Sequence, residues 1–94
     1  MKTSDLEEEK ALLTKLKNKE IQAFKRFYEE YSEDLLIVAF CLLENVSLAI
    51  KAVDDLFERL WMEATFESID PPIHRFLYRE LRKNCENKRN GLSL

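Results

Sequence analysis

Few side chains in this chain could do covalent chemistry. His74 is the sole histidine, and no Ser or Cys stands at a spacing that would make it the base of a nucleophilic pair. Cys41 and Cys85 lie far apart without a CxxC partner, which argues against a zinc site and still more against a disulfide framework. Asp54 and Asp55 are neighbours, and on a helix they point about a third of a turn apart, so they do not form an acid–base pair. No Glu-x-x-His motif and no Gly-rich phosphate loop occurs. The residues predict no enzyme, no cofactor and no metal.

Charge arranged at helical spacing is the stronger signal. Residues 1–72 carry nine Lys/Arg against sixteen Asp/Glu, whereas residues 73–94 carry six against two, so the sign reverses from minus seven to plus four. Within the last segment Arg75, Arg79, Arg82 and Lys83 recur at four, seven and eight residues and share one helix face. Ile73, Phe76, Leu77, Leu81 and Cys85 line the other face, with Cys85 as a small core residue and Tyr78 as the aromatic that reaches solvent. A basic row of this kind can neutralise phosphates. A solvated helix face, favoured by the dipole near a C-terminus, has the same appearance. The net charge of −3 argues against indiscriminate wrapping of nucleic acid.

The elements that must hold these residues are helical. With 46% apolar and 35% charged residues the chain is globular, and one Gly and two Pro leave little turn chemistry for a β-fold. Ser4 is placed to cap a first helix with Asp5, Glu7 and Glu8 in its first turn and a break at Asn18–Lys19. Ile21, Phe24, Phe27, Tyr28 and Tyr31 share a face of the second helix. At Ser32 either a new helix is capped or one helix continues with a bend. The run Leu35 to Leu43, apolar nearly all round, predicts the most buried element and is too short to span a bilayer. Ser47 is the expected N-cap of a third helix reaching Ala64, with Ala49, Val53, Leu56, Phe57, Leu60, Trp61 and Ala64 on one stripe and Lys51, Asp54, Asp55, Glu58 and Met62 opposite. Asp70-Pro71 signals the start of a last helix that runs from about Pro72 to Asn87, with Asn90-Gly91 as its stop. Acidic residues at positions 5 and 7–9 stand where a signal peptide would need an apolar run, so a soluble protein of a reducing, cytoplasmic compartment is expected, with no membrane partner. The fold class is all-α: one domain over residues 1–94, a small bundle of about four to five helices.

In order along the chain, three pieces resemble region 2 of bacterial sigma factors, especially the extracytoplasmic-function group. Ala23-Phe24, Phe27-Tyr28 and Tyr31 look like that family's "AF..LY..Y" opening. AIKAVDDLFERLW, residues 49–61, is similar to its "AEDLVQEVFLRLW" helix, matching at Ala49, Phe57, Arg59, Leu60 and Trp61. LYRELRKN, residues 77–84, resembles the "WL..IA.N" helix, and the likeness as a whole spans about residues 13–89.

The resemblance implies a helical domain for transcription initiation with two working surfaces. The polar face of the third helix would dock on the clamp coiled coil of the RNA polymerase largest subunit, here through Lys51, Asp54, Asp55, Glu58 and Met62. The last helix and the loop before it would engage the promoter −10 element and a flipped base, here through the Glu67 to His74 loop and His74, Arg75, Tyr78, Arg79, Arg82, Lys83 and Asn84. The segment shows no second, helix-turn-helix domain for the −35 element, so the expectation is either an excised fragment or a sigma-like domain that works alone or with a separate region 4 subunit. An anti-sigma factor is a further partner implied. Departures from the pattern are Ile50 and Lys51 in place of an acidic pair, and Leu77 (or Phe76, with a slip of one) in place of a tryptophan. They motivate an alternative, a co-sigma or sigma-like interaction module without DNA recognition. A third reading is an unrelated helical homodimer.

Overall fold

The computed structural model describes the backbone of residues 6–63 and 65–92, and the side chains among these other than those of 65 and 89–92. Four helices follow in order: α1 Leu6–Lys17, α2 Ile21–Leu43, α3 Val46–Glu63 and α4 Ile73–Leu92, with a 3-10 turn at Thr65–Ser68. No strand occurs among the described residues, and the chain is a small all-α bundle. The cap at Ser4, the first-turn charge of Asp5 and the helix end at Ala64 lie outside the described residues. Glu7, Glu8 and Glu9 occupy the first turn of α1, at the end where the helix dipole favours carboxylates.

Of the two readings at Ser32, the continuous helix is the one adopted. α2 runs 23 residues with Ser32 inside it, since neither Gly nor Pro interrupts it. It stops where Glu44 turns left-handed at φ 52°, donating its N–H to the Phe40 carbonyl at 2.7 Å. Lys19, at φ 60°, ends α1 in the same way at the expected break. Ser47 is not the cap of α3. Only Glu44 and Asn45 separate the two helices, so the cap falls on Asn45, whose Oδ1 accepts the Leu48 N–H at 3.0 Å.

The apolar stripe of α3 is the axis of the core. Ala49, Val53, Leu56, Phe57 and Leu60 are buried along it, and Trp61 is half-buried at its end. Phe27 of α2 meets Phe57 edge-on at 5.4 Å and Phe66 of the 3-10 turn at 6.1 Å, while Phe24 lies 4.7 Å from Trp61. From α4, Ile73, Leu77, Leu81 and Cys85 close the cluster.

The run Leu35 to Leu43 is not the most buried element. Leu35 and Ala39 are enclosed, but Ile37, Phe40 and Cys41 are exposed. The outer side of these turns, which carries Ile37, Phe40 and Cys41, is open to solvent among the described residues.

The start of α4 also differs from the sequence signal. α4 begins at Ile73 rather than Pro72, after a cis Pro71–Pro72 peptide. The buried Glu9 of α1, not Asp70, accepts the Ile73 N–H, at 2.6 Å. A carboxylate there satisfies an orphan donor and faces the positive end of the dipole. The helix then continues through Asn90 and Gly91 to Leu92, past the predicted stop.

A residue with a Cβ in the left-handed region is strained, so Glu44→Gly is expected to stabilise the chain by about 1 kcal/mol. Urea unfolding checks this. An unchanged or lower midpoint would mean that the Glu44 side chain contributes an interaction that offsets the strain.

Candidate functional site

The two predicted surfaces sit on helices that pack against each other. Arg59 of α3 pairs with Glu80 of α4, Asp55 pairs with Lys88, and the Ala52 carbonyl accepts from Asn84. Both helices contribute a polar edge to this seam. On α4 it is Glu80, Asn84 and Lys88 at steps of four, and on α3 it is Ala52, Asp55 and Arg59.

Asn84 is buried at the centre of the seam. Its Nδ2 donates to the Ala52 carbonyl at 3.3 Å, and its Oδ1 accepts from Arg59 Nη1 at 3.3 Å. The second guanidinium arm, Nη2, reaches Glu80 Oε1 at 3.2 Å. Glu80 also accepts from Lys83 at 3.2 Å. Asn84 therefore leaves the set of predicted DNA contacts: at 9% exposure its polar atoms are spent on α3.

Four of the five residues predicted on the polar face of α3 are open to solvent: Lys51, Asp54, Glu58 and Met62. Asp54 Oδ1 accepts from the Tyr28 hydroxyl at 3.1 Å. Burial, and then the adjacent Asp54 carboxylate, push the Tyr28 phenol up. Asp55 is half-buried and turned toward α4, where Lys88 Nζ donates to it at 2.8 Å. That hydrogen bond holds its carboxyl below the usual value, against a smaller opposing effect of burial.

On α4, Arg75, Arg79, Arg82 and Lys83 are all exposed, opposite the buried Ile73, Leu77, Leu81 and Cys85. Among the described residues no ion pair engages Arg75, Arg79 or Arg82, and Arg79 lies 5.9 Å over the Phe76 ring. Exposed Glu86 follows Arg82 on the same face. Tyr78 is not the exposed aromatic that its position on the helix predicts. It is half-buried against the core with His74 edge-on at 5.8 Å, because α4 sinks more of its circumference than its apolar residues alone require. The preceding loop is anchored by buried Phe66 and Ile69, with Glu67 and Asp70 exposed. Cys85 is buried, and burial pushes its thiol up, as suits a core residue.

Arg59, Glu80 and Lys88 form the seam, and reading apolar stripes alone passes over them. Their signal is a charged residue at the border of a stripe, at i+3 or i+4 from another polar one. Among the described residues no group of His, Cys, Asp and Glu gathers to hold a metal ion, and no helix is long and apolar enough to cross a membrane. No family model matches the chain, and comparisons with curated proteins and with solved structures gave no significant match.

The Asp55–Lys88 pair gives a pH test. The folded carboxyl titrates below its unfolded value, so the stability it adds is present above the unfolded value and is lost as pH falls through the folded one. Asp55→Asn is expected to lower the urea midpoint at neutral pH, and the gap from the parent protein is expected to close in acid. A gap that stays constant to low pH would contradict the pair.

Proposed function

We propose that the chain is a transcription-initiation module like sigma factor region 2, acting in the cytoplasm, with acid turned toward polymerase and base toward DNA. One observation carries the reading: two exposed rows of opposite sign stand on adjacent helices of one scaffold. Asp54, Glu58 and Met62 are open on α3 beside a single base, Lys51, and Arg75, Arg79 and Arg82 are open on α4 and engaged in no ion pair among the described residues. The likeness of residues 49–61 and 77–84 to the sigma helices assigns partners to those rows. Asp54 and Glu58 would meet basic residues of the clamp coiled coil of the largest polymerase subunit. The arginine row would hold the backbone of an opened −10 element, with His74 and Tyr78 beside it.

A second reading, a co-sigma or sigma-like interaction module without DNA recognition, is favoured by the fate of two predicted DNA contacts. Asn84 is consumed in the seam, and Lys83 is paired with Glu80. That leaves the basic row shorter than the sequence implies.

Pull-down of a clamp coiled-coil fragment tests the first surface. Capture is expected, with at least a tenfold loss for Asp54→Lys combined with Glu58→Lys, two exposed positions whose charge reversal leaves the α3–α4 seam intact. With polymerase present, single-stranded −10-like DNA is expected to bind in a salt-sensitive way. Each arginine of the row changed to Ala should lower the steepness of the salt dependence by roughly 0.7 for every phosphate that it no longer neutralises. Clamp capture without DNA preference would select the second reading, and no clamp capture would overturn both.

A further inference from the structure

Exposed large apolar side chains cluster at one end of the molecule. Ile37 (58%), Phe40 (46%), Val46 (59%) and Ile50 (45%) all lie on the last two turns of α2 or the first two of α3. Helical rows bring them together. The Tyr28–Asp54 hydrogen bond fixes which edge of α2 meets which edge of α3. Steps of four from Tyr28 lead through Ser32 and Leu36 to Phe40, and steps of four back from Asp54 lead through Ile50 to Val46. Both rows run toward the two-residue connection Glu44–Asn45, where half-buried Leu36 and Leu43 lie among them. An apolar strip of this kind between two helices is the form of groove that receives a third.

Its surroundings select the occupant. From Glu29 to Ile50 every charged residue is acidic: Glu29, Glu30, Glu33, Asp34 and Glu44. A second copy laid symmetrically on this strip would set those carboxylates against themselves. An anionic lipid surface would meet the same repulsion. A helix with an apolar face flanked by Lys or Arg matches both features.

We propose that the α2–α3 end around Phe40, Val46 and Ile50 docks a cationic amphipathic helix of a partner protein, its basic residues set against Glu33 and Glu44. The strip adjoins the surface assigned to polymerase, since Asp54 lies one turn along α3 from Ile50, about 6 Å at the rise of an α-helix. Phe40, Val46 and Ile50 take no part in the polymerase reading, so substitutions at Phe40 and Ile50 test this inference apart from the Asp54 and Glu58 charge reversals.

Titration of the isotope-labelled full chain with two synthetic amphipathic peptides, one of Leu and Lys and one of Leu and Glu, followed by amide shifts, is the test. The Leu/Lys peptide is expected to shift residues 36–50 and to weaken with added salt, and the Leu/Glu peptide to leave them unmoved. Phe40→Ser with Ile50→Ser is expected to cost at least tenfold in affinity while helix content is kept, because both side chains are exposed. Glu33→Lys should weaken binding without touching the apolar strip. Shifts spread over all acidic surfaces and insensitive to Phe40 and Ile50 would overturn the proposal. So would sedimentation showing a dimer that Phe40→Ser dissociates, or binding of the chain to phosphatidylserine vesicles through these residues.

Discussion

A single buried amide, that of Asn84, fixes the edge at which α4 meets α3, on a helix whose inner face is set by Ile73, Leu77, Leu81 and Cys85. It donates to the Ala52 carbonyl and accepts from Arg59, whose other arm holds Glu80. An amide left unmatched in that position would lose its hydrogen bonds without regaining water. Rotating α4 by one residue would replace Asn84 in the seam with Lys83 or Cys85, neither of which can both donate and accept there with comparable strength. With Asn84 fixed inward, Arg75, Arg79 and Arg82 must point outward. Arg59 and Asp55, drawn to the same seam, leave Asp54, Glu58 and Glu63 as the open carboxylates of α3. The placement of acid and base on the surface thus follows from the apolar row of α4 together with a polar contact within the bundle.

The aromatic cluster supplies the adhesion that this contact orients. Phe27 touches Phe57, Phe66 and Tyr31 in edge-on geometries, which ties α2, α3 and the 3-10 turn to one point. Glu9 then joins the first helix to the last by taking the Ile73 N–H. At the far end of α2 the apolar side chains of Ile37 and Phe40 remain in solvent. One end of the bundle is therefore closed by its own residues, and the other presents a surface that a partner could cover.

Local periodicity carries most of the fold. The stripe from Ala49 to Leu60, the break at Asn18–Lys19 and the two faces of α4 are all set by side chains within one helix, and a sequence displays those directly. What periodicity does not display is how far a neighbouring element reaches. Leu35 to Leu43 has the composition of a buried helix, yet only Leu35 and Ala39 are enclosed, while Ile37, Phe40 and Cys41 face solvent. Asn84 and Tyr78 show the same limit at single residues. Their exposure depends on which edge of α4 meets α3 and the core, a tertiary fact. The cap at Asn45 and the capping of Ile73 by Glu9 depend on loop length and on a contact 64 residues away in sequence.

Whether α3 and α4 are locked in register by the Arg59–Asn84 contact is the point on which the surface description rests. A double-mutant cycle on Arg59→Ala and Asn84→Ala, read by urea unfolding, measures that coupling directly. Residues sharing one hydrogen-bond network couple by about 0.5–3 kcal/mol, and a favourable coupling in that range is predicted here. Additive effects of the two substitutions would contradict the lock, and with it the reason given for where the acidic and basic rows point.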